Sequence, residues 1–343
     1  MKLVNSSAFV DSNPRSTLPF DIKPDVSVYP DGVAKDVKTD SAQAEIFVEF
    51  KWTHKDDPFC DIYSSKRPCC GQTHQSFLRN SKAALDSLGQ ITSYAAAHLG
   101  AQFRTHIFSV FIVRNKARLL RWDRSGTIMT EAFDYNQTSH LADFFHCYSK
   151  ATPVVHEIDE TVSVPTSQEA RLARVALQLD DSVPLVRLSV PCGNPSQPSQ
   201  LYYVVPTPEI ALYTPPGRAT RGFKAYDILH SKVVFLKDTW RINLPDIEPE
   251  GKTYRTLNAA NVDHVPRCLA SGDISTAEHH ATKTSLYTTQ AWARATHCPL
   301  KSHFIPHRHY RVVLDVVGHS LVKYSSSYEM VSAVRDAIIG EFL

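Results

Sequence analysis

Two successive mixed domains, an α/β unit followed by an α+β unit, are what this sequence predicts. Three observations carry that expectation. The chain has 343 residues, and at ~100–200 residues per domain this leaves room for two. Its first half alternates short apolar runs with one long helical pattern at 81–99. Its second half holds the run Val233-Val234-Phe235-Leu236-Lys237, a strand signal that ends in a charge. The domain boundary is placed near residue 182, which divides the chain into 15–182 and 183–343.

Composition narrows the function classes. An apolar share of 43% is that of a globular protein and excludes wholesale disorder. A formal net charge of +2 argues against nucleic-acid binding by bulk charge and leaves room for a local basic site. The first ten residues lack a long apolar core, and Ile107–Val113 is far shorter than the ~20 residues a bilayer needs. A soluble, intracellular protein without a membrane partner is expected. Seven irregularly spaced cysteines read as reduced thiols. His54, Cys60, Cys69, Cys70 and His74 fit no paired metal-ligand spacing, so an inserted loop is the expected reading.

In the first half, a polar leader precedes a strand at Pro24–Tyr29 and a second at Ala44–Trp52. On the second strand Glu49 and Lys51 are two residues apart and share a face. In the following helix Gln90 and Tyr94 lie one turn apart on one side. Pro24-Asp25, then Glu49-Phe50-Lys51, then Gln90 through Tyr94 resembles the PD-(D/E)xK nuclease pattern. That resemblance implies a restriction-endonuclease-like α/β fold over 15–182 with a trailing helix. It implies a site of Asp25, Glu49, Lys51 and Gln90, with Mg²⁺ held by Asp25 and Glu49. Paired carboxylates suit an oxygen-seeking cation, and a lysine can position the attacking water. Nucleic acid is a partner only if that site is active. A degenerate fold used for packing is the competing reading, since fold does not imply function.

Strands follow at Arg104–Val113, Ala117–Trp122 and Thr127–Phe133, and an aromatic helix at Leu141–Tyr148. Thr166-Ser167-Gln168-Glu169 is a capping box opening a helix to about Leu179. A short strand from Pro184 to Val190 then meets a turn-rich break over Pro191–Pro198.

In the second half, Leu201–Val205 and Ile210–Tyr213 are candidate strands. Gly217-Arg218-Ala219-Thr220-Arg221-Gly222 is a glycine-rich pattern with alanine at its middle position, standing upstream of Lys237. Glycine-rich turns let backbone amides approach phosphates. A strand lysine is costly unless it meets an anion. Glu248 and Glu250 open a helix behind it, and Tyr254 and Leu257 favour Glu250 as the lysine's partner. Val265–Gly272 and Arg311–Gly318 read as later strands, 275–303 as a histidine-rich insertion, and Ser326–Glu329 as the start of a last amphipathic helix.

Together with Leu269–Asp273 and the stretch from Arg118 to Gly126, these motifs resemble the fungal-type protein kinase family over roughly Pro24 to Ile339. The resemblance implies an α+β protein-kinase-like amino-terminal lobe over 183–343. It implies ATP as ligand, Gly217, Ala219 and Gly222 on its phosphates, Lys237 paired with Glu250, and Asp315 near the adenine-binding hinge. A kinase also needs a catalytic-loop aspartate with its asparagine and a D-F-G aspartate. Neither follows the last helix, so the expectation is a lobe that binds nucleotide without the catalytic lobe, its open face covered by a protein partner. The alternatives are the Mg²⁺-dependent nuclease and a non-catalytic interaction fragment.

Overall fold

The computed structural model describes residues 1–11, 13, 16, 18–33, 37–61, 77–152, 155–156, 158–194, 197–208, 214–274, 280–287, 304–318 and 323–341. It is a mixed α/β structure with two seven-stranded sheets. Two compact units divide the chain discontinuously: Met1–Asp159 with Pro208–Ala219 and Ala281–His307, and Glu160–Thr207 with Thr220–His280 and Arg308–Leu343. A single cut near residue 182 therefore differs from the observed division, and the helix opened by Thr166 groups with the second unit.

The first sheet contains β1 (Lys2–Asn5), β2 (Val26–Tyr29), β3 (Ile46–Lys51), β4 (Ile107–Val113), β5 (Lys116–Asp123) and β6 (Gly126–Met129) in that spatial order, with β7 (Phe133–Asp134) against β5. The polar leader thus hides a strand: β1 pairs antiparallel with β2, Leu3 opposite Val28. Strand β3 pairs parallel with β4, which requires a crossover. Helix α1 (Lys82–Ala101) supplies it, its N-cap Ser81 accepting from Ala84 N.

Period-two alternation sorts the first core. Phe47, Phe111 and Leu120 pack with Ile91, Tyr94 and Leu99 of α1. Their neighbours Ile46, Val48, Val110 and Ile112 pack on the opposite face with Phe144 and Tyr148 of α2 (His140–Lys150). A sheet covered on both faces needs the near-continuous apolar run seen in β4. His98 of α1 is buried edge-on to Phe47 at 5.3 Å. Burial, reinforced by the Arg104 charge, holds it neutral by lowering it to about 3.

The second unit contains β8 (Val162–Ser163), α3 (Ser167–Leu177), β9 (Leu185–Asn194), β10 (Gln197–Pro206), β11 (Arg221–Asp227), β12 (Lys232–Ile242), α4 (Glu250–Ala259), β13 (Cys268–Asp273), β14 (His307–Leu314) and α5 (Ser327–Glu341). Its sheet runs β13-β14-β12-β11-β10-β9-β8. The capping box on α3 forms as expected, Thr166 Oγ1 accepting from Glu169 N and the Glu169 carboxylate from Thr166 N.

The expected break at Pro191–Pro198 is instead a continuous hairpin, with β9 and β10 in register from Asn194↔Gln197 to Leu185↔Pro206. Among the described residues β8 pairs β9 only at Leu188 and Arg187, so Pro191 lies beyond that ladder, where its missing N–H costs no bond to β8. The candidate strand 210–213, Cys69, Cys70, His74, and the insertion's His279, His297 and His303 lie outside the described residues. Cys60, Cys147, Cys192 and Cys268 are free thiols, and Arg79 Nε donates to Cys60 Sγ at 3.2 Å. On α5 the stripe of Met330, Val334 and Ile338 faces solvent. Among the described residues, no helix is long and apolar enough to cross a membrane.

A buried charge cluster ties the second sheet together. Asp238 of β12 accepts from Arg311 Nε of β14 at 2.7 Å and contacts His309 Nε2 at 2.7 Å. Arg311, wholly buried, also donates to Ser189 O at 2.8 Å and Thr161 Oγ1 at 2.9 Å. His309 stacks on Trp240 at 4.9 Å. Burial alone would raise the Asp238 carboxyl, but the His309 and Arg311 charges reverse that and hold it far below the usual carboxylate range. Removing one partner of such a pair leaves an uncompensated buried charge. Asp238→Ala should therefore destabilise the chain by ~3–5 kcal/mol. Denaturant unfolding followed by circular dichroism measures this, and an unchanged midpoint would show that the cluster is not needed.

Candidate functional sites

In the second unit, β12 alternates: Val234, Leu236 and Asp238 are buried, while Val233, Phe235 and Lys237 form the other face. That second face lies under α4, where Phe235 and Tyr254 join Tyr310, Val312 and Leu314 in one core. Lys237, next along the face, reaches the first residue of the helix. Its Nζ donates to both Glu250 oxygens, at 2.8 and 2.7 Å. The carboxylate also stands at the helix N-terminus, where the helix dipole favours negative charge. Glu248, the other candidate, is turned away and pairs with Lys252 four residues on. Both ends of the Lys237–Glu250 pair keep about a quarter of their side-chain surface, 22% and 27%, so a ligand can reach the ammonium.

The glycine-rich pattern is not one loop. Gly222 lies inside β11, directly opposite Lys237 in the ladder. A methyl there would stand 2.9 Å from the Phe235 ring, so close strand packing accounts for that glycine. Gly217 and Ala219 belong to the first unit, where Gly217 N donates to Arg124 O at 2.9 Å. Ala219 has φ +43°, a left-handed backbone in which glycine would be at ease. Asp315 binds back to the chain before β13, its Oδ1 accepting from Arg267 N at 2.8 Å.

In the first unit the four nuclease-type residues converge where the start of β2 and the end of β3 meet the middle of α1. Lys51 Nζ donates to Glu49 Oε1 and to Gln90 Oε1, each at 2.7 Å. Gln90 Nε2 donates to the Tyr94 hydroxyl at 2.7 Å, which donates to Lys23 O at 2.7 Å. Lys51 can only donate and Lys23 O can only accept, which determines the orientation of the Gln90 amide and the Tyr94 hydroxyl between them. Asp25 Oδ2 accepts from Phe50 N at 2.8 Å, which anchors the strand beside Glu49. Tyr94 meets this group through Gln90, one helical turn away.

Glu49 is 2% exposed, and its Oε2 has no hydrogen-bond partner. Burial pushes its carboxyl up to about 7, the Lys51 hydrogen bond and charge offsetting only part of that and the Asp25 charge adding to it. Among the described residues no group of three or more His, Cys, Asp or Glu could hold a metal. Two carboxylates with an open oxygen still suit Mg²⁺, which keeps several waters and often takes only one or two carboxylates.

The raised carboxyl has a stability consequence with a definite sign. Between the ordinary carboxylate value of 4.5 and about 7, the folded chain holds a proton that the unfolded chain has lost. Stability therefore falls as pH rises across that window and levels off above it. At ~1.4 kcal/mol per unit the total is on the order of 3 kcal/mol. Denaturant unfolding in EDTA at pH 5 and pH 7.5 should show this slope in the wild type and a flatter one in Glu49→Gln. Equal slopes would contradict the buried-carboxylate account.

Kinase amino-terminal lobes use an ion pair between a strand lysine and a helix glutamate, the residue types that Lys237 and Glu250 bring together. The fungal protein kinase family model matches residues 69–342, most of the chain. Neither a curated protein nor a solved structure matches it. The chain belongs to the fungal protein kinase family.

Proposed function

We propose that 183–343 form a kinase-type lobe that binds ATP through Lys237, and that this polypeptide alone does not complete phosphoryl transfer. The observation that carries the reading is the Lys237–Glu250 pair, with both carboxylate oxygens within 2.8 Å of one ammonium. Glu250 fixes the lysine's direction, and the remaining donor capacity and exposed surface of Nζ suit a phosphate oxygen. Gly222, opposite Lys237, supplies the nearby strand backbone; the family resemblance alone assigns Gly217 and Ala219 to the phosphates. The second half of the proposal rests on residue content. Phosphoryl transfer uses an aspartate to accept the substrate proton and another to hold Mg²⁺, and the sequence has no H-R-D or D-F-G triplet.

Ligand binding to the folded state alone stabilises it, by about 2.7 kcal/mol when the ligand is at 100 times Kd. ATP should raise the Tm of the wild-type chain, and Lys237→Ala should abolish that rise while remaining folded. An undiminished rise in the variant would place ATP elsewhere. Phosphate transfer by the wild type that is lost in Lys237→Ala would overturn the second half.

One observation favours a second reading for the first unit: the buried, unpartnered Glu49 Oε2 beside the Lys51–Gln90–Tyr94 chain. On this reading Asp25 and Glu49 would hold Mg²⁺, which would supply Lewis-acid polarisation of a phosphodiester. Lys51, oriented by Gln90, then holds a water or a phosphate oxygen. Metal-dependent DNA cleavage by the wild-type chain, lost in Glu49→Ala and in Lys51→Ala, is the expected result. Cleavage that survives both substitutions would remove this site from consideration.

A further inference from the structure

Helix α4 has no side-chain cap of its own. Its N-cap position is Pro249, which offers no side-chain acceptor, and the first four N–H groups of a helix need partners. One partner comes from strand β14: Gly251 N donates to the Tyr310 hydroxyl at 3.0 Å. Tyr310 is 2% exposed, and its hydroxyl is also hydrogen-bonded to Ser271 of β13. Ser271 Oγ in turn accepts from Arg255 Nη1 at 2.6 Å, one helical turn beyond Gly251. Farther along, Asn258 Nδ2 donates to Pro266 O at 3.0 Å and Asn258 Oδ1 accepts from Cys268 N at 3.1 Å.

Gly251 completes the seat. A methyl at that position would overlap the Ser271 side chain and lie 2.5 Å from the Tyr310 hydroxyl. Glu250 immediately precedes it, so whatever fixes Gly251 also fixes the carboxylate that faces Lys237. Successive turns of α4 are thus bonded to the two neighbouring strands through polar groups, in addition to the Tyr254 packing.

We infer that Tyr310 is a positioning residue for the Lys237–Glu250 pair: its hydroxyl caps α4 from β14 and holds the pair assembled before any nucleotide arrives. The functional meaning of this arrangement rests on the ATP reading above. Kinases use the placement of this helix as a control point; here the hydrogen bonds to β13 and β14 hold it in the paired position.

Hydrogen exchange on the full chain tests this without nucleotide. The backbone amides of 250–253 should be protected in the wild type. In Tyr310→Phe they should exchange about tenfold faster, the net worth of one hydrogen bond. The rise should be confined to α4 and accompanied by a smaller ATP-induced shift in Tm. Gly251→Ala, which displaces the same turn, should reproduce both effects. Three results would overturn the inference: unprotected 250–253 amides in the wild type, unchanged exchange there in Tyr310→Phe, or a rise spread equally over β12, β13 and β14. Because exchange is read in nucleotide-free protein, failure of the wild type to bind ATP counts against the proposed function and leaves the exchange result standing.

Discussion

Adjacent residues on β12 carry opposite charges, and the strand's alternation sends them to opposite faces of the sheet. Asp238 goes inward to Arg311 and His309, and Lys237 goes outward to Glu250. Much of the second unit depends on that division. The inward carboxylate joins β12 and β14 to β9 and to Thr161 through the bonds Arg311 makes to Ser189 and Thr161. Strand β14 repeats the rule in reverse phase. His309 and Arg311 face Asp238, while Tyr310, Val312 and Leu314 face α4 with Phe235 and Tyr254. A one-residue slip of either strand would exchange the charged and apolar sets, so the cluster fixes the register that brings Lys237 to the helix.

The first unit uses the same geometry for a different arrangement. Glu49 and Lys51 share a face because they are two apart, and Phe50 between them turns outward to 40% exposure. The lysine neutralises only one oxygen of Glu49, so the carboxylate keeps an uncompensated desolvation penalty, visible as its upward shift to about 7. Asp238 shows the contrary balance: equally buried, it is surrounded by enough positive charge to stay ionised. Burial alone therefore distinguishes neither case. The number of positive charges beside each carboxylate does.

How much of this was legible in the sequence follows from the range of the interactions. Strand β12, the Gln90–Tyr94 spacing and the Thr166–Glu169 cap are short-range patterns, and the structure places these side chains in the contacts their spacing suggested. Strand β1 escaped notice because Lys2–Asn5 carries little alternation and becomes a strand by pairing with β2. The β9–β10 hairpin ran against its own turn residues, because proline disrupts a strand only where an N–H is needed. The cap on Gly251 comes from a residue 59 positions away, and the Asp238–Arg311 contact spans 73. Neither pairing leaves a local trace. Gly222 reads as a phosphate-loop glycine in the sequence, and the structure adds a packing reason for it in β11, the ring of Phe235.

Energetics separate what Lys237 and Asp238 contribute. A pair as exposed as Lys237–Glu250 is worth ~0–1 kcal/mol to stability, little return for ordering two long side chains. The Asp238 cluster, with Arg311 wholly enclosed, is one whose disruption costs several times that. Strand β12 would keep its place without Lys237, since Phe235 and the ladder to β11 hold that face. Glu250 would keep its place without Lys237 too, because Tyr310 and Ser271 seat the turn that carries it. A lysine that the fold does not require, paired with a carboxylate seated by other residues, suits the ATP-binding role proposed for it.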